Sequence, residues 1–155
     1  MYVERVPPPP PAARKRLSMP WSEQRAFPVD VSTPSAARQF ITANLQQAVG
    51  EVPGVRAIID TAALTISELT TNAVNANATS LTVALAIYSD HLRLSVTDNG
   101  AGMPKLRSPS LQATSGRGLL IIDQLARRWG TTPTADGKET WAELSLDPSV
   151  TMPAH

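Results

Sequence analysis

The sequence predicts an α+β fold, a two-layer α/β sandwich in which helices cover one face of a mixed, mostly antiparallel sheet. Three observations predict it: segments with helical periodicity, segments in which apolar and polar residues alternate, and short turn signals between neighbouring strands. The chain has 155 residues, of which 42% are hydrophobic, and these values are typical of one globular domain.

The start of the chain is predicted to lie outside the core. Five consecutive prolines occupy residues 7–11, a basic run occupies residues 14–16, and a polar stretch continues to about residue 25. A polyproline II segment cannot join a helix or a central strand. We interpret residues 1–25 as a disordered spacer, rather than a docking peptide or a basic nucleic-acid contact. The folded domain is predicted over 26–147, with a C-terminal tail at 148–155.

Two helices are predicted in the first half of the domain. A short extended segment at 27–31 precedes a helix that begins at Thr33-Pro34, a hydroxyl cap followed by proline, and ends near Gly50. After a Pro53-Gly54 turn, a long helix is predicted over about 55–78. Its apolar stripe consists of Ile58, Ala62, Ile66, Leu69 and Ala73.

In the second half of the domain, the sequence predicts two hairpins separated by a helix. Apolar residues alternate over 81–87 and 92–96, on either side of a Ser89-Asp90 turn. Residues 98–115 have no clear period. A helix is predicted from Gly118, with Gly130 as its end and Leu119, Ile122, Leu125, Ala126 and Trp129 on one face. The last strands, about 131–135 and 139–146, flank an Asp136-Gly137 turn.

Composition excludes several classes of protein. The formal net charge is +1, which gives no strong field for nucleic acid. There are no cysteines, and the two histidines, His91 and His155, are too few for a zinc cluster. No apolar run approaches the roughly 20 residues of a membrane span, and the N-terminus does not resemble a secretory signal. A cytoplasmic protein without a membrane or direct nucleic-acid partner is expected.

The long helix carries the first group of candidate functional residues. Glu68, Asn72 and Asn75 follow one another at spacings of four and three, so they lie along one stripe beside the apolar face. An ordinary solvated face is the alternative. Asparagine and threonine are poor helix formers, however, and a plain surface would favour Glu, Lys or Ala. The stripe therefore indicates a polar site at the border of the core.

The second candidate is the run from Asp98 through Gly100 to Gly102, directly after a strand. The alternation places Asp98 on the core side, where a carboxylate needs a partner. The glycines allow a ligand to approach the backbone closely. A plain Asx turn is the alternative, and a single carboxylate argues against calcium.

Two further features lie in the last third of the chain. Ser115-Gly116-Arg117-Gly118 opens a helix, where free N–H groups and the dipole favour an anion such as phosphate, although a plain cap has the same pattern. Thr140 alternates with the apolar residues of its strand, so its hydroxyl faces inward and needs a hydrogen-bond partner. The sequence contains neither a P-loop nor a Rossmann glycine motif.

In this order, the spaced motifs Glu68-x-x-x-Asn72, Asp98-x-Gly100-x-Gly102 and Gly116-x-Gly118, followed by Thr140, resemble the GHKL ATPase superfamily. This superfamily includes gyrase-type ATPases, Hsp90, histidine-kinase catalytic domains and MutL. Residues 27–146 most resemble the RsbW-like anti-sigma-factor serine/threonine kinases of actinobacteria. The runs Glu-Leu-Thr-Thr-Asn-Ala-Val, Arg-Arg-Trp-Gly and Gly-Lys-Glu-Thr-Trp-Ala-Glu-Leu carry the finer resemblance. It implies the Bergerat fold, with ATP and Mg²⁺ as cofactors.

The resemblance also implies a role for each site residue. Asp98 would accept a hydrogen bond from the adenine amino group, with Thr140 helping through a water molecule. Asn72 would supply an oxygen to Mg²⁺, and Glu68 would be the general base. Residues 103–116 would form a lid. The other nucleotide-contacting residues implied are Asn75, Gly100, Gly102, Met103, Gly116, Arg117, Gly118 and Leu119.

The implied substrate is a serine or threonine of an anti-anti-sigma (STAS-domain) protein, and the implied second partner is a sigma factor. A homodimer would use a free sheet edge or the first helix. The sequence departs from the family at Ala76, where related kinases commonly carry histidine. A module of the same fold that sequesters a regulator without phosphorylating it is therefore the alternative.

Two further interpretations are disfavoured. The catalytic domain of a two-component histidine kinase would need a phospho-accepting helical domain for which this chain has no room. A domain with no site at all would require four independent coincidences in the correct order.

Overall fold

The computed structural model of the chain describes residues 21–50, 53–100 and 115–146. In this part of the chain it contains five strands and three helices. In chain order they are β1 (Trp21–Phe27), α1 (Thr33–Val49), α2 (Val55–Asn75), β2 (Leu81–Ile87), β3 (His91–Asp98), α3 (Ser115–Leu125), β4 (Arg128–Pro133) and β5 (Lys138–Ser145).

The strands form one open sheet in the order β1-β2-β3-β5-β4. All four described pairings are antiparallel, so no parallel pair is found where a mixed sheet was expected. Helix α1 packs on α2, and α2 packs on α3 and on the central strands β3 and β5. The predicted α+β sandwich is confirmed.

The core lies between α2 and the inner face of the sheet. Strand β2 alternates buried and half-buried residues along its whole length, as its sequence predicts. The apolar stripe of α2 is buried from Ile59 through Ala62, Ile66 and Leu69 to Ala73, while Ile58 is only partly buried. Full burial of a Leu or Ile side chain stabilises a fold by roughly 1.5–3 kcal/mol, so this stripe fixes α2 to the sheet.

The first strand corrects the predicted start of the domain. β1 begins at Trp21, so residues 21–25 belong to the sheet and not to the spacer, whose remaining residues lie outside the described part. Its alternation is weak because β1 is an edge strand whose residues 22–26 are exposed. The cap of α1 also differs: Ser32 is the N-cap, and the Thr33 hydroxyl accepts from the Asp30 N–H and donates to the Pro28 carbonyl.

The predicted ends of α2 and α3 were too late. α2 ends at Asn75, and Asn77 takes the left-handed backbone conformation with φ of 60°. α3 ends at Leu125, whereas Trp129 and Gly130 lie in β4. The Arg127 N–H donates to the Glu143 carbonyl of β5, so the chain enters the sheet two residues after the helix. Trp129 fits the helical period by position but is buried opposite Ala142 in the sheet.

Candidate nucleotide site

The end of the central strand β3 holds a buried carboxylate, as predicted. Asp98 is only 5% exposed. Its Oδ1 accepts a hydrogen bond of 2.7 Å from the Gly100 N–H and one of 2.8 Å from the Lys138 ammonium. Two donors from different segments therefore fix the orientation of this carboxylate.

Lys138 is one of two residues of this site, with Thr131, that the sequence analysis missed. It is the first residue of β5, lies directly opposite Asp98 in the ladder, and is 3% exposed. Its position two residues before Thr140 places it on the same inward face of β5. The two-residue spacing from Thr140 is visible in the sequence. It did not predict burial of Lys138, because lysine is almost never fully buried unless it is paired.

The next row of the sheet carries two buried hydroxyls. Thr140 faces inward as predicted and is 3% exposed, opposite Thr131 of β4. The two Oγ1 atoms are 3.5 Å apart. Asp98, Lys138, Thr131 and Thr140 form a polar corner in an otherwise apolar inner face, and we call these four residues the polar corner.

Glycines bring two backbone segments close to the polar corner. A Cβ atom on Gly137 would overlap the Asp98 carbonyl oxygen and lie 2.7 Å from the Asn99 Cα. A Cβ atom on Gly100 would lie 3.0 Å from the Cβ of Ala76, just after the end of α2. The neighbours of Gly100 are atoms of the protein itself, so the predicted approach of a ligand there stays a prediction, and at Gly137 the sequence indicated only a turn.

Asn99 ties the loop after α2 to the end of β3. Its Oδ1 accepts from the N–H groups of Thr79 and Ser80 at 2.8 and 3.0 Å. Its Nδ2 donates to the Thr79 hydroxyl at 2.8 Å. The segment that begins with Asp98 is thereby held against the end of the helix that carries Glu68 and Asn72.

The polar stripe of α2 borders the core. Glu68 is half-buried, and burial raises the pKa of its carboxyl above the usual value. Among the described residues no cation forms an ion pair with it. One turn later, the Asn72 amide nitrogen is buried, and no residue in the described part of the chain accepts a hydrogen bond from it. Asn75 is exposed. Within the described residues, the stripe thus places a carboxylate without an ion-pair partner and an amide nitrogen without an acceptor on the same side of α2.

Several predicted residues lie outside the described part of the chain. These are Gly102 and Met103, and the side chains of residues 116–119 in the first turns of α3. The backbone helix begins at Ser115, next to the predicted phosphate-binding run. The roles of Gly116, Arg117, Gly118 and Leu119 stay predictions.

The described residues could hold Mg²⁺ only in a site that water molecules and substrate phosphates complete. The described residues contain no group of three His, Cys, Asp or Glu side chains that could hold a metal alone. Mg²⁺ keeps several waters and is often held by one or two protein oxygens together with substrate phosphates. The atom of Asn72 that has no partner among the described residues is Nδ2, a donor, which suits a phosphate oxygen; Mg²⁺ would be held by the Oδ1 atom of the same amide. None of the described helices is long and apolar enough to cross a membrane.

Comparison with known protein families agrees with this geometry. The chain matches the model of the histidine kinase-, DNA gyrase B- and HSP90-like ATPases over residues 58–149. The match covers more than half of the chain, and the chain therefore belongs to this ATPase family. It begins within α2, so β1 and α1 precede it. None of the curated proteins matches the chain.

Proposed function

We propose that this protein is an ATP-dependent serine/threonine kinase of the anti-sigma-factor type. It phosphorylates a serine or threonine of a STAS-domain protein and sequesters a sigma factor. The observation that carries the proposal is Glu68: a half-buried carboxylate with a raised pKa and no cationic partner among the described residues, one turn from Asn72. A carboxylate of this kind is suited to accept the proton of an attacking hydroxyl.

Nucleotide binding is the first step. The polar corner receives the base, with the Asp98 carboxylate accepting from the exocyclic amino group. The amide oxygen of Asn72 would hold Mg²⁺, and the ion would neutralise the charge that develops during transfer. The family membership and the buried, doubly held carboxylate support this assignment.

Glu68 acts in the transfer step. It accepts the proton of the attacking serine or threonine hydroxyl. A bond forms between that oxygen and the γ-phosphorus while the bond to the β–γ bridging oxygen breaks, and ADP leaves. A general base works best when its pKa is near the operating pH, and burial moves the pKa of Glu68 in that direction.

The first experiment is a Mg-ATP titration followed by thermal unfolding. Wild type is expected to gain stability as RT ln(1 + [L]/Kd), about 2.7 kcal/mol at a hundredfold excess over Kd. Asp98→Asn is expected to lose this gain. The substitution exchanges one acceptor oxygen for an NH2 donor and removes the charge that pairs with Lys138. Asp60→Asn, an exposed carboxylate on α2, is the matched control and should retain it. A wild type without any shift at millimolar Mg-ATP contradicts nucleotide binding.

The second experiment measures transfer of the γ-phosphate from labelled ATP to purified STAS-domain proteins. Glu68→Gln is expected to bind Mg-ATP like wild type and to transfer at least a hundredfold more slowly, the usual contribution of a general base. Glu23→Gln, an exposed carboxylate on β1, is the control. Undiminished transfer by Glu68→Gln contradicts the assignment of the base.

A second candidate function is the non-catalytic module, and Ala76 favours it. This residue follows the end of α2, next to Gly100, where the resemblance implies a histidine. Without that ring near the phosphates, binding is retained while transfer is weakened. Mg-ATP binding and capture of a sigma factor, together with no labelling of any STAS-domain protein, would favour the module over the kinase.

A further inference from the structure

The ion pair between Asp98 and Lys138 leaves part of each group unused. Oδ1 of Asp98 has two donors, and no described residue donates to Oδ2. The Lys138 ammonium has three N–H donors, of which one is directed at Asp98. Both side chains are nearly inaccessible, at 3% and 4% exposed. Oδ2 of Asp98 and the remaining N–H donors of Lys138 therefore lie side by side without partners among the described residues.

The surroundings make these unused donors costly without a ligand. In the sheet, Asp98 lies opposite Leu81 as well as Lys138, and the next row contains Val96 beside Thr140. An ammonium in such a place is stabilised only when its remaining hydrogens are also bonded. The described residues supply one acceptor, so a ligand that brings another is favoured.

The geometry points to Lys138 as a second residue that reads the nucleobase, an inference that rests on the proposed nucleotide binding. An acceptor beside a donor is complementary to the adenine edge that carries the 6-amino group and the ring nitrogen N1. We infer that Asp98 Oδ2 accepts from the amino group while Lys138 donates to N1. A hydrogen bond to a charged group contributes enough to change affinity by about tenfold or more.

The test separates base reading from a purely structural ion pair. Affinities for ATP, 1-deaza-ATP, which lacks the N1 acceptor, and 7-deaza-ATP, which is changed on the opposite edge, are measured by calorimetry with Mg²⁺. Wild type is expected to bind 1-deaza-ATP about tenfold more weakly than ATP, with 7-deaza-ATP close to ATP. This part needs no variant, so it stands even if a substitution unfolds the protein.

The variant Lys138→Met keeps the length of the side chain and removes its donors. It is expected to bind ATP about tenfold more weakly than wild type and to bind ATP and 1-deaza-ATP equally. Its stability without ligand is measured first, because an unpaired buried carboxylate is destabilising. If it does not fold, Lys138→Gln keeps a donor for Asp98 on a shorter side chain, and its preference for ATP over 1-deaza-ATP should be smaller than that of wild type. Arg56→Met, an exposed position on α2, controls for the lost positive charge.

Each outcome decides the inference. A wild type that binds ATP and 1-deaza-ATP equally overturns it and leaves the proposed function intact. A Lys138→Met variant that still prefers ATP over 1-deaza-ATP shows that another group reads N1, and tighter ATP binding by this variant shows that the ion pair blocks the site. A wild type that binds none of the three nucleotides contradicts the proposed function itself.

Discussion

Glu68 and Asp98, two carboxylates of the proposed nucleotide site, lie in opposite environments. Asp98 is fully buried but receives an ammonium and a backbone N–H. Glu68 is half-buried and receives no described cation, and its pKa is raised by desolvation alone. A carboxylate that is held by donors is suited to accept a hydrogen bond from a ligand, and a carboxylate without them is suited to accept a proton. The environments of the two side chains, rather than their identities, separate these roles.

Glu68→Gln is predicted to stabilise the protein at neutral pH while it removes transfer. A pKa raised on folding means that the folded state disfavours the carboxylate, so its ionisation destabilises the fold above the raised pKa. The gain from Gln should therefore be largest at neutral pH and disappear as the pH falls below the ordinary value of 4.5. Urea unfolding of both proteins at several pH values measures it. A gain that grows towards acidic pH contradicts the assignment.

Gly137→Ala is predicted to destabilise the protein by about 1–3 kcal/mol, because the added Cβ overlaps the backbone of Asp98 and Asn99. The same displacement moves the Asp98 carboxylate, so the shift in melting temperature with Mg-ATP should shrink as well. Asp136→Ala, the exposed neighbour in the turn, should change stability by no more than about 0.5 kcal/mol. Equal stabilities of the two variants would argue against the close approach.

Among single residues, period-two alternation predicted the inward positions of Asp98 and Thr140 correctly. It also applied to Lys138, but composition rules assign lysine to the surface, and its partner is 40 residues away in sequence. The burial of a charged residue depends on which residue faces it across the sheet. That pairing is a tertiary property and cannot be read from a local window.

At the scale of elements, a single carboxylate joins the last two strands to the centre of the sheet. Glu143 of β5 has a side chain that is 1% exposed. It accepts from Arg128 of β4 at 2.9 Å and from Arg93 of β3 at 3.4 Å, and the Arg127 guanidinium lies 3.9 Å away. Arg93 also lies 4.5 Å above the ring of Trp141. This cluster lies on the face of the sheet opposite the polar corner, because 143 and 140 differ in parity.

Glu143→Ala is predicted to cost about 1–3 kcal/mol of unfolding free energy, since the partly buried Arg93 and Arg128 lose the carboxylate that lies between them. Arg127→Ala should cost less than about 1 kcal/mol, because that side chain is 36% exposed and the other two arginines remain. Equilibrium urea unfolding gives both values. Similar midpoints for the two variants would contradict a central role for Glu143.

Element types were predicted well and element ends less well. Helical and alternating patterns identified α1, α2, α3 and the two hairpins. The boundary between α3 and β4 was misplaced because Trp129 suits both a helical stripe and a buried strand position. Its indole Nε1 donates to Asp123 of α3 at 2.9 Å, so the side chain is buried from both sides. The helix ends because the Arg127 N–H donates to the Glu143 carbonyl of β5, which is a tertiary hydrogen bond.

At the scale of the whole molecule, the sheet order places the last hairpin with β5 beside β3 and β4 at the edge. The opposite edge is β1, which the sequence did not predict in full. Its Phe27 meets Phe40 of α1 edge-on at 5.8 Å, and Arg25 lies over both rings. This contact joins the edge of the sheet to the helical layer. The strand thus covers a sheet edge that would otherwise be open.

Removal of residues 1–27 is predicted to lower the melting temperature and to promote self-association. It exposes the backbone donors and acceptors of β2 from Leu81 to Ile87, and open strand edges pair with other chains. Removal of residues 1–20, which keeps β1 in place, is the control and should not promote self-association. Thermal unfolding and light scattering measure the two effects. A protein without β1 that remains monomeric and equally stable would contradict this role.

The 40-residue separation between Asp98 and Lys138 also has a kinetic consequence. The proposed base site cannot exist before β5 has docked on β3, and pairing between distant segments is slow because a long loop must close first. Nucleotide should therefore leave the refolding rate almost unchanged and slow unfolding instead, since its contacts form after the rate-limiting step. Bound nucleotide would then stabilise the completed fold kinetically and would not speed its formation.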